Sequence, residues 1–240
     1  MSRAEVLLVP GPVGSLEVVV EPGEQLDSSS PLVAVIAHPH PLYGGTMDNK
    51  VVTTLSRMYR QLGVTVLRFN FRGVGASAGV HDEGRGEVDD MLAVARYGVE
   101  HNPDAQLVLA GFSFGSAIAA AASEALSRES LSTESLSKES LSGTNRACQH
   151  LVLVAPPVDR YSYAPNGEFA CPTCVVIGGA DDIVDADVVT AWVHGLATPP
   201  RLICIPQASH FFHGELITMK AKLEPEVRAM MAESGAVQFD

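Results

Sequence analysis

The sequence predicts an α/β protein with one doubly wound, mostly parallel sheet, and three observations indicate this fold class. Short β-branched runs alternate with longer amphipathic segments, which is the pattern of strands joined by crossover helices. Several runs are apolar at every position, as expected of strands that are covered on both faces. The chain has 240 residues, 46% of them apolar and 18% charged, which suits a single globular domain over residues 1–240.

Seven apolar runs are the predicted strands. In chain order they cover residues 16–20, 32–37, 64–71, 107–110, 151–156, 174–179 and 201–206. Helices are predicted between them, at residues 48–62, 87–101 and 117–122, with two more that begin at Asp185 and after Gly214. Every crossover is short, and the connection between the fifth and sixth of these strands leaves no room for a cap domain.

One segment departs from this pattern. Residues 123–145 carry four tandem pentapeptides of the form Glu-[Ala/Ser]-Leu-Ser-x, which begin at Glu124, Glu129, Glu134 and Glu139. Leucines five residues apart advance by about 140° around a helix, so they cannot form one buried stripe. We interpret the segment as a tolerated surface insertion, flexible or loosely helical, in preference to an arm that binds a partner.

The composition excludes several classes of partner. A formal charge of -12 and a pI of about 5.0 repel a phosphate backbone, so nucleic acid is not an expected partner. Pro10, Pro12 and Glu17 interrupt the N-terminal apolar stretch, and no other run is long enough to cross a bilayer. The four cysteines are too scattered for a disulfide scaffold. We therefore expect a cytoplasmic protein without a membrane contact, and the oligomeric state stays open.

The motif Gly111-Phe112-Ser113-Phe114-Gly115 lies between a predicted buried strand and a predicted helix. In that context G-x-S-x-G indicates a strained turn that presents the serine hydroxyl at the carboxyl edge of the sheet. The flanking glycines let neighbouring elements approach without a Cβ clash. Ser113 is the predicted nucleophile, and the backbone N–H of Phe114 is a predicted donor to an oxyanion.

A serine hydroxyl requires a general base, and the base requires an acid that orients it. His210 follows the last predicted strand and is the predicted base, while Asp181 follows the strand before it and is the predicted acid. The order Ser, Asp, His along the chain is the one that accompanies a G-x-S-x-G nucleophile turn. Asp182 remains an alternative to Asp181, whereas His213 lies nearer to the closing helix.

A second oxyanion donor is expected from the loop at residues 38–45, directly after a predicted strand. Proline has no N–H, so Pro39 and Pro41 cannot donate. The amides of His40 and Leu42 remain, and we prefer His40. The rigid prolines would hold the donor in place before the substrate arrives.

Three side chains are expected to line the substrate site: Leu42, Tyr43 and Arg72. Arg72 begins a glycine-rich loop that matches neither the dinucleotide pattern nor a P-loop. Two roles remain open for Arg72. It either holds this loop by hydrogen bonds, which we prefer, or binds a carboxylate of the substrate.

No cofactor and no metal are expected. The C-x-x-C motif at Cys171 and Cys174 lacks the second pair that would complete a zinc site. Four histidines occur near the predicted active site, but the chain has no H-E-x-x-H helix.

The segments HPHPLYGGTMDNKVV, NFRGVGASAG, GFSFG, GADDIV and SHFFHG together resemble the α/β-hydrolase superfamily. More narrowly, the chain looks like small bacterial hydrolases related to dienelactone hydrolases. The resemblance covers nearly the whole chain, and it implies an eight-stranded fold, the triad assigned above and cofactor-free hydrolysis of carboxylic esters. The chain departs from this family in two ways. Dienelactone hydrolases use a cysteine nucleophile where this chain has Ser113, so their substrate is not assigned to this chain. The pentapeptide insertion is also outside the family pattern.

The sequence therefore predicts a serine esterase that acts on small or exposed ester groups through an acyl-enzyme. A thioesterase or a peptidase would use the same triad. A non-catalytic scaffold that binds partners through the repeats is the alternative from another class, although the presence of all three triad residues argues against it.

Overall fold

The computed structural model describes residues 4–24, 32–134 and 147–233. Within these ranges the chain forms eight strands and five α-helices. The strands are β1 (Glu5–Gly11), β2 (Gly14–Glu21), β3 (Leu32–Ala37), β4 (Thr65–Phe69), β5 (Gln106–Phe112), β6 (Cys148–Val154), β7 (Thr173–Gly178) and β8 (Arg201–Ile205). The helices are α1 (Lys50–Gln61), α2 (Arg85–Glu100), α3 (Phe114–Glu134), α4 (Ala186–Gly195) and α5 (Leu216–Glu233).

The eight strands form one sheet in the order β1-β2-β4-β3-β5-β6-β7-β8. β1 and β2 pair antiparallel, β2 and β4 pair antiparallel, and all pairs from β4 to β8 are parallel. This arrangement confirms the predicted fold class. The carboxyl ends of the parallel strands meet at one edge, so the loops after β3, β4, β5, β7 and β8 lie near each other.

Helices cover both faces of the sheet. Side chains of α1 and α5 pack on one face, and side chains of α2, α3 and α4 pack on the other. The β3 strand shows why its sequence is continuously apolar. Val33 and Val35 face the core of α2, α3 and α4, whereas Ala34 and Ile36 face the core of α1 and α5.

The β1 strand was not predicted. Its edge position explains this, because Val6 and Leu8 are exposed and the strand lacks a continuous buried run. Pro10 is tolerated there, since an edge strand needs hydrogen-bond donors on one side only. Its pairing with Ser15 belongs to a tight antiparallel hairpin with β2.

The first two pentapeptides of the repeat continue the helix that starts at Phe114. α3 extends to Glu134, and Arg128 pairs with Glu124 at 2.8 Å. Arg96 of α2 pairs with Glu129 at the same distance. The rest of the predicted insertion lies outside the described residues.

Among the residues that are described, no helix combines the length and the hydropathy that crossing a bilayer would require.

Candidate active site

Ser113 lies in the turn between β5 and α3 with a φ of 53°, which is the left-handed region. A non-glycine residue rarely adopts this conformation, so the turn is strained. The two flanking glycines make it possible. A Cβ on Gly111 would lie 2.1 Å from the carbonyl oxygen of Gly115, and a Cβ on Gly115 would lie 2.5 Å from that of Ala37. Only glycine at both positions allows the turn to pack this closely.

His210 reaches Ser113 from the loop after β8. Its Nε2 lies 3.0 Å from Ser113 Oγ, and only 3% of its side chain is exposed. The ring packs between Phe112 and Phe211, with centroids 5.1 Å from each. Phe212, which is fully buried in the core of α1 and α5, anchors the loop.

Asp181 lies behind His210, in the loop after β7. Its Oδ2 is 2.8 Å from His210 Nδ1. Its Oδ1 accepts the N–H groups of Ile183 and Val184, each at 2.8 Å. With the ring proton on Nδ1, His210 donates to the carboxylate, and Nε2 is free to accept the serine proton. The side chain of Asp181 is 2% exposed, whereas Asp182 is exposed to solvent.

The loop after β3 carries the two amides that were considered as oxyanion donors. The N–H of Leu42 donates to His40 Nδ1 at 3.2 Å, so it is already engaged within the loop. The N–H groups of His40 and Phe114 have no acceptor among the described residues. The geometry therefore favours His40 over Leu42 as the partner of Phe114.

His38 fixes the start of this loop, a role that the sequence did not indicate. Its Nδ1 donates to the carbonyl of Pro39 at 2.6 Å, and its Nε2 accepts the N–H of Phe71 at 3.1 Å. Burial lowers the pKa of His38 to about 4, so the ring is neutral near neutral pH. A neutral ring is required, because one nitrogen must donate while the other accepts.

A cavity of about 400 Å³ opens in front of Ser113 and His210. Its wall combines the loops after β3, β5, β6, β7 and β8. The lining residues are Pro39, His40, Tyr43, Gly44, Gly45, Asn49, Ser113, Phe114, Pro157, Arg160, Tyr161, Ile183, His210 and Phe211. Of the three expected lining residues, Tyr43 contributes to this wall, whereas Leu42 points to solvent with 69% of its surface exposed.

Arg72 does not line the cavity, so the expectation that it would was wrong. Its side chain is buried beside α2 instead. The guanidinium forms two hydrogen bonds with the Asp90 carboxylate, at 3.0 and 2.8 Å, and the Arg72 N–H adds a third at 2.9 Å. Both side chains are buried. Gly86 leaves space for the guanidinium, because a Cβ there would lie 1.8 Å from Arg72 Nη1. Arg72 therefore holds its loop, as the preferred interpretation expected.

The wall between β6 and β7 was missed at the sequence level. Pro157, Arg160 and Tyr161 lie in this connection, and Tyr163 anchors it by a 2.7 Å hydrogen bond to Ser116. The Arg160 guanidinium donates to the carbonyl of Ile183 at 3.0 Å, which ties the connection to the loop of Asp181. The position of this connection after a parallel strand was the signal that could have indicated it.

Within the described ranges, no three His, Cys, Asp or Glu side chains converge as a metal site would need.

Comparison with known proteins gives consistent matches. A family model for the α/β hydrolase fold matches residues 44–130. An α/β serine hydrolase without a lid from Xanthomonas campestris is 38% identical, with a TM-score of 0.82 and 95% of each chain covered. An α/β serine hydrolase homologue from Coxiella burnetii is 37% identical, with a TM-score of 0.80 and coverage of 94% of this chain and 98% of that one. An uncharacterized protein of Rickettsia prowazekii (strain Madrid E) is 34% identical over 213 residues, which are 84% of this chain and 79% of that protein.

Proposed function

The chain belongs to the α/β-hydrolase family, and from this premise we propose that it is a serine esterase that cleaves small carboxylic esters through an acyl-enzyme. One observation carries the proposal. Ser113 Oγ, the His210 ring and the Asp181 carboxylate form a continuous hydrogen-bonded series at 3.0 and 2.8 Å, and its serine end opens into the cavity.

In the proposed reaction, Ser113 Oγ attacks the ester carbonyl while His210 Nε2 removes the hydroxyl proton. The amides of Phe114 and His40 donate to the oxyanion of the tetrahedral intermediate. His210 then passes the proton to the leaving alcohol, and the acyl group remains on Ser113. A water molecule deacylates the serine by the same route, and Asp181 stabilises the imidazolium in both halves.

The cavity supports a preference for small or protruding ester groups. Its volume of about 400 Å³ is at the lower end of ligand pockets. The connection between β6 and β7 contains neither a helix nor a strand that would form a lid. Tyr43 at the mouth is 87% exposed, so one side of a substrate remains open to solvent.

Labelling with a fluorophosphonate probe tests the proposal. We expect the wild-type protein to be labelled and Ser113→Ala to remain unlabelled, with circular dichroism verifying that both are folded. Ser15→Ala is the matched control, because Ser15 lies at an exposed position of the β1–β2 hairpin and does not line the cavity. A folded wild-type protein that resists labelling would contradict the proposal and favour the scaffold alternative.

A substrate panel tests the ester preference. Acetyl and butyryl p-nitrophenyl esters are compared with the palmitoyl ester, a matched thioester and a peptide amide. We expect the short oxygen esters to have the highest kcat/KM. A preference for the long acyl chain by orders of magnitude would overturn the size argument, and a preference for the thioester or the amide would replace esterase with one of those activities.

A further inference from the structure

The turn that carries the proposed oxyanion donor is closed by a side chain as well as by backbone. Pro41–Tyr43 forms a single 3₁₀ turn, and His40 caps it. The carbonyl of His40 accepts the N–H groups of Tyr43 and Gly45, each at 3.1 Å. The ring of His40 adds a bond of its own, because Nδ1 accepts the N–H of Leu42 at 3.2 Å.

This ring performs a task that asparagine or aspartate usually performs in turns. The Oδ1 of asparagine accepts the N–H two residues further along the chain, especially before proline. His40 precedes Pro41, and its Nδ1 is bonded to Cγ, as Oδ1 is in asparagine. The two side chains differ in one respect. A histidine nitrogen can bind a proton and then ceases to be an acceptor, whereas an amide oxygen remains one.

Charged and titratable groups surround the His40 ring from two other segments. His81 lies on one side, with ring centroids 4.9 Å apart, and Tyr43 of the same turn lies 4.7 Å away. His81 Nδ1 is 2.8 Å from the fully buried carboxylate of Glu87 in α2. Phe114 of α3 closes the third side at 4.8 Å. Burial and the neighbouring His81 lower the pKa of His40, while the charge of Glu87 opposes them.

We propose that the His40 ring is a positioning residue for the oxyanion turn. The neutral ring accepts the Leu42 N–H and holds the His40 amide toward Ser113, and a proton taken from solvent at Nδ1 releases this bond. The inference depends on the proposed function, because it assigns the His40 amide to oxyanion stabilisation. It predicts that the turn loosens when the His40 ring is protonated, whether or not the His210 ring is protonated as well.

Three proteins test the inference: wild type, His40→Ala and His40→Asn. A hydrogen bond of this kind corresponds to about threefold to tenfold in the population of the closed turn. We expect kcat of His40→Ala for p-nitrophenyl acetate to fall by that factor. His40→Asn should recover most of the loss. Its kcat relative to wild type should also rise as the pH is lowered from about 8 to about 5, because the amide does not titrate. His194→Ala, at an exposed position in α4, is the matched control.

Two outcomes would overturn the inference. His40→Asn with a kcat as low as that of His40→Ala would mean that the ring acts by packing on Phe114 and not as an acceptor. A ratio between His40→Asn and wild type that stays flat with pH would exclude the release by protonation. Fluorophosphonate labelling of each variant at about pH 8 separates these outcomes from a failure of the esterase proposal, in which the wild type itself would not react.

Discussion

The Asp181 carboxylate links the His210 imidazole to the backbone of its own loop, with one oxygen for each. Oδ2 lies 2.8 Å from His210 Nδ1, and Oδ1 accepts two backbone N–H groups, from Ile183 and Val184. The loop therefore fixes the orientation of the carboxylate before any substrate binds. Because Ile183 also accepts a hydrogen bond from Arg160, the same residue ties the acid to the wall of the cavity.

Asp181→Asn should lower kcat for a short ester by about 10³- to 10⁴-fold, because an amide cannot stabilise the imidazolium or select the tautomer with the proton on Nδ1. KM should change little, since Asp181 does not line the cavity. Asp182→Asn is the control and should retain wild-type kinetics, given its exposed side chain. Equal losses in the two variants would remove the reason for choosing Asp181 over its neighbour.

The parallel strands and the loops that follow them were predictable because their signals are local. The β3 run Leu32–Ala37 is apolar on both faces, and the G-x-S-x-G turn identifies itself by its position between β5 and α3. Asp181 and His210 follow from the same rule, since each comes directly after a parallel strand.

Other features depend on contacts between distant residues, which the sequence does not display. β1 is an edge strand, and its exposed Val6 and Leu8 give no pattern of burial. The partner of Arg72 is Asp90, a carboxylate on a helix that the sequence presents as amphipathic and solvated on one side. The hydrogen bond that His38 Nε2 accepts from the N–H of Phe71 joins the loops after β3 and β4, and no spacing in the sequence predicts it.

Gly115→Ala should destabilise the nucleophile turn. The new Cβ would lie 2.5 Å from the carbonyl oxygens of both Ala37 and His38, and the backbone at the end of the central strand β3 cannot move aside. We expect the free energy of unfolding to fall by about 1–3 kcal/mol, as for other overpacked sites. Urea denaturation measures this change. Gly195→Ala is the matched control, because its Cβ would meet no atom within 4 Å, and it should be neutral or stabilising.

Asp90→Ala should cost about 3–5 kcal/mol of stability, because it leaves the Arg72 guanidinium buried without a counter-charge. The side chains are 6% and 0% exposed, so water cannot replace the lost partner. Asp89→Ala, at the exposed neighbouring position of α2, should change stability by about 0.5 kcal/mol or less. Denaturant midpoints of the two variants give the comparison. A small effect of Asp90→Ala would mean that the ion pair is not what holds the loop of Arg72.

His150→Phe should make the stability of the protein less sensitive to acid. His150 is fully buried and hydrogen-bonded to the Tyr59 hydroxyl at 3.0 Å, and burial lowers its pKa to about 3 from 6.5. A histidine with a lowered pKa stabilises the folded state above its unfolded pKa, and this contribution is lost as the pH falls toward the folded value, because only the unfolded chain takes up the proton. Between about pH 7 and about pH 5 the wild type should therefore lose about 2 kcal/mol more than the variant. Urea denaturation across this range measures the two slopes, with His194→Phe as the exposed control. Parallel slopes for wild type and His150→Phe would show that the buried ring does not carry this part of the acid sensitivity.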